Sequence, residues 1–206
     1  MNNMTTLRAT PFIDSDHPAV LAFARHTTAH CQTDTERAVA LYYAVRDDIR
    51  YDPHHIDINP NYIKASLTLQ RGSGYCIEKA LVLAAAARAV GIPAKLGFAN
   101  VRNHLATDKF IAALRTDIFV YHGYVSLYTD GHWTKATPAF NRSLCERFDV
   151  APLEYDAQTD SIFQEYDPTG ERKYMEYLHY HGEFDDFPHA DFVAELRRYY
   201  PHFFGQ

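Results

Sequence analysis

A chain of 206 residues with 47% hydrophobic and 14% aromatic residues is long and apolar enough for a sizeable core. That excludes intrinsic disorder and removes any need for disulfides or a structural metal in folding. Twenty Lys and Arg against 26 Asp and Glu give a net charge of −6, which, with no basic run, argues against nucleic-acid or anionic-membrane binding and for a small or neutral substrate.

Met1 to Phe12 lacks the apolar centre of a secretory signal, and the longest apolar run, Ala80 to Val90, contains Arg88 and is too short to span a bilayer. A cytoplasmic location is therefore expected. Cys31, Cys76 and Cys145 are an odd number with no Cys-x-x-Cys pair, so at least one thiol is free. Without repeats or a Gly/Ser/Pro-rich linker, the expectation is one domain over 1–206, with a core about 33–141 and an extension 142–206.

In chain order, Pro18 to Ala29 reads as a short helix with Val20, Leu21 and Phe23 inward. Thr33-Asp34-Thr35-Glu36 has the form of a capping box; Ala38, Leu41, Tyr42, Val45 and Ile49 then recur at helical spacing until Asp52-Pro53. An irregular stretch follows, with a turn at Asp57-Ile58-Asn59-Pro60 and a short helix over Ala65 to Gln70. Gly72-Ser73-Gly74 leads to Cys76 at the first turn of a helix apolar nearly all round, which therefore lies buried. Gly91 ends that helix and Ile92-Pro93 prevents continuation.

Ala94 to Asn100 reads as a strand, Phe119 to Tyr128 as a second, and Asp130-Gly131 as the hairpin turn into a third, Trp133 to Thr137. Further on, Ser143 to Phe148 suggests a helical turn, Ser161 to Tyr166 a strand and Ala190 to Tyr200 a terminal helix stopped by Pro201. Helices first and mostly antiparallel strands afterwards make the class α+β.

A thiol at a helix start meets unpaired backbone N–H groups and the positive end of the helix dipole, both of which favour thiolate and would stabilise an oxyanion formed by Cys76 attacking a carbonyl. Spacing alone leaves two readings, a nucleophile or a packed structural thiol. A nucleophile needs a base, and His122, on the strand leading to Asp130-Gly131, has the side chain suited to proton transfer near neutral pH.

Gly72-Ser73-Gly74-Tyr75-Cys76, with Ala80-Leu81 on the same helix and Arg88-Ala89-Val90-Gly91-Ile92-Pro93-Ala94-Lys95 closing it, resembles the core signature of the transglutaminase-like superfamily. Tyr121-His122-Gly123-Tyr124-Val125 and Gly131-His132-Trp133 are similar to that family's histidine strand and following tryptophan; the resemblance covers roughly Thr33 to Asn141. It implies a papain-like core of helices packed on an antiparallel sheet. It also implies a cofactor-free enzyme in which Cys76 attacks an amide, peptide or ester carbonyl, His122 protonates the leaving group, and the thioester passes to water or an amine. The implied substrate is a peptide or small amide.

The third catalytic position departs from the family pattern, because the aspartate expected four residues after the tryptophan is Thr137, followed by Pro138. Thr137 can accept an imidazole N–H but carries no charge; Asn141 is the alternative orienter, in the manner of a papain-like triad. This departure also supports another class, a non-catalytic peptide- or ligand-binding module of the same fold. Gln70, six residues before Cys76, resembles in spacing the oxyanion glutamine of papain-like enzymes, or else is an exposed helix end. Tyr75 and Tyr124 are the candidate substrate-binding residues. His54-His55 with Asp57, even with His104 available, lacks ligand spacing and reads as a polar loop rather than a metal site; His179 and His181 read as stacked or surface residues.

Overall fold

The structure, a computed structural model, describes residues 5–54, 56–103, 111–112, 114–162 and 175–205. Helix α1 (Pro18–Thr27) buries Val20 and Ala24, and leaves Leu21 and Phe23 half-buried. Helix α2 (Asp34–Asp48) starts with the capping box: Glu36 N–H donates to Thr33 Oγ1 at 3.1 Å and Thr33 N–H donates to Glu36 Oε2 at 3.2 Å. Two reciprocal bonds satisfy donors that a helix start otherwise leaves open.

Beyond α2 come β1 (Arg50–Tyr51), α3 (Ala65–Arg71) and β2 (Ser73–Gly74). The short strands pair in parallel, Arg50 with Ser73 and Tyr51 with Gly74, so the end of α2 is laid beside the approach to Cys76. Helix α4 (Cys76–Ala89) is buried from Ile77 to Arg88, with alanines at 80 and 84–87 letting neighbouring elements approach closely. It ends as its sequence dictates: Gly91 takes φ 86° and Ile92 N–H donates back to Ala87 O at 2.9 Å. Arg88, 4% exposed, donates to the carbonyls of Ala94, Arg8 and Asp185. That explains physically why an arginine precedes the Gly-Ile-Pro-Ala turn: it ties the next strand and two distant segments to the helix end.

Strands β3 (Ala94–Asn103), β4 (Ile118–Thr129), β5 (His132–Ala136) and β6 (Met175–Phe184) form one antiparallel sheet in the order β5-β4-β3-β6. Asp130 (φ 49°) and Gly131 (φ 85°) make the hairpin turn with two left-handed residues, the conformation this dipeptide favours. Helices α5 (Arg142–Arg147) and α6 (His189–Tyr199) complete the α+β architecture. The strand expected at Ser161 to Tyr166 reduces, among the described residues, to a bridge between Ser161 and Ala136; residues 163–166 lie outside them. No helix among the described residues is long and apolar enough to cross a membrane.

Candidate active site

Cys76 opens α4, and the segment before it is held rigid by Arg71. The guanidinium pairs with Glu78 at 2.6 Å and donates to Ser73 O at 2.9 Å, while Glu78 Oε2 accepts Tyr75 N–H at 3.2 Å. Burial raises the Glu78 carboxyl, against the lowering influence of Arg71. The sulfur is half-buried. Gly123 of β4 lies directly against this helix start: a Cβ at Gly123 would stand 3.2 Å from Ile77 Cα and 3.4 Å from Cys76 O. A bare glycine allows the contact, and the Gly123 N–H bonds to the Cys76 sulfur.

That contact brings the preceding residue, His122, to the same place. Cys76 and His122 line one cavity, with Tyr51, Tyr75, Phe119 and Tyr200 among its other walls. A bulge sets the histidine's position. The β3–β4 register shifts between Ala99 and Val101, Tyr121 takes φ 56°, and the Tyr121 N–H is accepted by the side-chain oxygen of buried Asn100 at 3.0 Å. His181 donates to the same oxygen at 2.8 Å and stacks on Tyr121 with ring centroids 4.2 Å apart. Phe140 stacks on the His122 ring at 6.3 Å.

Burial acts on both groups in the direction of the neutral form. Burial pushes the Cys76 thiol up to about 11, outweighing the N–H groups of Gly123, Ile77 and Cys76 that favour thiolate. Burial also holds the His122 imidazole down, at about 4. The amides expected to favour thiolate at the helix start are present, and desolvation opposes them.

Tyr75 forms part of the cavity wall, 4% exposed, and its hydroxyl has no hydrogen-bond partner among the described residues. The other expected site residues lie elsewhere. Gln70 is exposed on α3 and does not line the cavity, so the oxyanion-glutamine spacing does not carry over to position. Tyr124 lies on the sheet face away from α4, its ring over Gly97 of β3, in the space a Cβ there would fill, and under Lys135 at 5.7 Å. It covers a glycine and does not line the cavity.

Asn141 caps the end of α2: its amide nitrogen donates to the carbonyls of Arg46, Asp47 and Ile49, and its oxygen accepts Tyr51 N–H at 2.7 Å. Buried Lys79 serves two of the same carbonyls, Arg46 O and Ile49 O, each at 2.8 Å, and burial lowers its ammonium to about 7. Thr137 donates its hydroxyl proton to Ile162 O at 3.2 Å and its N–H to Ser161 O at 2.9 Å. No group of three or more His, Cys, Asp or Glu that could hold a metal exists among the described residues; His55 and His104 lie outside them.

Sequence reasoning missed Gly123 as a donor to the sulfur, Asn100 as the partner of the bulged amide, and the wall supplied by α6. Phe192 and Leu196 line the cavity one helical turn apart, and the hydroxyl of Tyr200 donates to Ile118 O at 2.7 Å and accepts Val120 N–H at 3.1 Å, pinning the end of α6 to β4. The i, i+4, i+8 spacing of these three residues signals a buried face but not which site it faces.

A buried helix begun by cysteine and laid against a histidine strand of an antiparallel sheet defines a class of α+β proteins with a papain-like core. The Transglutaminase-like superfamily model matches residues 21–138, more than half of the sequence, and the chain belongs to that superfamily. Among solved structures it is similar to "a Putative Cysteine Protease from Cytophaga hutchinsonii", with TM-score 0.51 and 14% identity over 86% of this chain and 53% of that one. It is also similar to "a putative protease from Parabacteroides distasonis", with TM-score 0.41 and 19% identity over 57% of this chain and 22% of that one. At these identities the first likeness shows the fold, and this chain spans about half the length of that relative and about a fifth of the second. No curated protein matches the sequence.

Proposed function

We propose that the chain is a cysteine-dependent acyl-transfer enzyme that opens an amide or peptide bond through a Cys76 thioester and passes the acyl group to water or to an amine. The observation that carries this reading is the shared cavity of the Cys76 sulfur and the His122 imidazole, with the first amides of α4 beside the sulfur. Because burial favours the neutral form of both groups, the thiol proton moves to His122 as Sγ attacks the carbonyl, and His122 then delivers it to the leaving group. The N–H groups of Cys76 and Ile77 are the donors for the oxyanion, with no part for Gln70. Of the two orienters, both ends of the Asn141 amide are engaged at the end of α2, whereas the Thr137 hydroxyl gives its proton to Ile162 and keeps lone pairs open; neither residue is among the described cavity lining. A cytoplasmic site of action belongs to the same reading.

The test is single-turnover acylation with a p-nitrophenyl ester, read by intact mass and peptide mapping. One acyl group on Cys76, abolished in Cys76→Ala and slowed about 100-fold or more in His122→Ala, is the expected result. Acylation that persists in Cys76→Ala refutes the assignment. The neutral Thr137 in place of the family's aspartate favours the second reading, a binding module of the same fold, and that reading expects no acyl-enzyme from any donor.

A further inference from the structure

Resting on the Cys76 nucleophile just proposed, we infer that the cavity selects a short, uncharged acyl group of hydrocarbon character, and that α6 supplies part of the selecting wall. The cavity holds about 50 Å³, room for about three to five waters at roughly 10–15 Å³ each and hence for a short acyl chain. None of its described lining residues is charged. Pro53, Ile56, Leu114, Val120, Phe192 and Leu196 supply apolar lining to the cavity that Cys76 shares.

The polar atoms on that wall cannot neutralise a charge. Both hydrogen-bonding capacities of the Tyr200 hydroxyl are committed to the backbone of β4, and the unpartnered Tyr75 hydroxyl offers a neutral acyl group one hydrogen bond. A carboxylate or ammonium carried into this space loses its water and gains no counter-charge from the described lining residues, whereas a hydrocarbon chain loses only unfavourable hydration. Phe192, Leu196 and Tyr200 lie beyond residue 138, the end of the superfamily match. The selecting wall is therefore shared between the common core, through Pro53, Ile56, Leu114 and Val120, and a segment outside it.

Three p-nitrophenyl esters separate the possibilities: hexanoyl (neutral), succinyl (anionic) and 4-trimethylammoniobutyryl (cationic). In each, the Sγ–acyl bond forms and the ester C–O bond breaks; p-nitrophenolate leaves, and the thiol proton passes through His122 to the phenolate or to water. Hexanoyl should acylate Cys76 on the order of 100-fold faster than either charged donor. Ile56 is 43% exposed at the rim of the cavity, so Ile56→Lys preserves folding, and it should raise the succinyl-to-hexanoyl ratio by about tenfold or more. Equal rates for the three esters, or an unmoved ratio in Ile56→Lys, overturn the selectivity while leaving the nucleophile in place. Failure of all three to acylate Cys76 overturns the underlying reading instead.

Discussion

Gly123→Ala adds one methyl group where β4 crosses the start of α4. Its Cβ would stand 3.2 Å from Ile77 Cα, 3.4 Å from Ala80 Cβ and 3.4 Å from Cys76 O, against an ordinary carbon contact of about 3.5–4.0 Å. Two of these neighbours are backbone atoms of a buried helix, so no side chain can swing aside and strand and helix must part by a few tenths of an ångström. Two effects oppose each other. Replacing glycine restricts the unfolded chain and stabilises by about 0.4–1 kcal/mol, while overpacking a filled core costs about 1–3 kcal/mol. The clash wins because its partners are immobile, leaving a net loss of about 1–2 kcal/mol, seen as a fall in Tm of roughly 2–8 °C. The functional loss should be larger than folding alone accounts for. Gly123 N–H bonds to the sulfur and His122 is its neighbour, and a displacement of about 1 Å at a reacting centre is worth about 100-fold. A few tenths should therefore slow acylation about three- to tenfold per folded molecule. Thermal unfolding and single-turnover acylation are the assays; a variant as stable and as fast as the parent refutes the close approach of β4 to α4.

Two further outcomes follow from the buried polar groups. Asn141→Ala leaves Tyr51 N–H and Asp47 O without their side-chain partner while Lys79 still serves Arg46 O and Ile49 O. Urea unfolding should show a loss of about 2–4 kcal/mol, whereas acylation per folded molecule should stay within about threefold; a collapse of rate with stability intact would restore Asn141 as the orienter. His122 is held at about 4, below its ordinary 6.5, by burial, so between these values the unfolded chain binds the proton and the folded one does not. The stability this neutral ring contributes is complete above pH 6.5, falls as pH drops towards 4, and totals about 3 kcal/mol. Urea titrations from pH 7 to 4 should show that extra loss in the parent and not in His122→Gln; parallel curves would mean that the ring is not buried.

Local patterns carried most of the fold. The α2 capping box, the all-round apolar α4 with Gly91 behind it and the Asp130-Gly131 hairpin are each specified by a few neighbouring residues, and each appears where its chemistry puts it. Strand β6 left no comparable signal. Its outer-edge position, exposed residues and two register shifts against β3 remove the alternation a strand reading needs. Side-chain direction was equally hidden: Gln70 has the right separation from Cys76, but helix α3 turns it to solvent, and Tyr124 sits two residues from His122 yet its ring covers Gly97 of β3 instead of lining the cavity. Spacing fixes distance along a chain, whereas a site depends on which face an element presents, and that is set by contacts such as Gly123 against Ile77 that no local pattern encodes.

The neutral resting state that burial favours has a consequence for the missing aspartate. A thiolate–imidazolium pair formed in advance would need a carboxylate or strong solvation to hold the imidazolium, and burial is the influence that sets the His122 ring, towards neutrality. A neutral thiol and imidazole place no such demand on the resting site. On the proposed reading the imidazolium exists only between attack and departure of the leaving group, which lessens the demand for a carboxylate at the third position. Such a site works best when the acyl group excludes water and strengthens the amide hydrogen bonds to the oxyanion. The apolar lining, α6 included, would provide that exclusion, so on the proposed reading selectivity for hydrocarbon acyl groups and a third position without charge both follow from one apolar cavity.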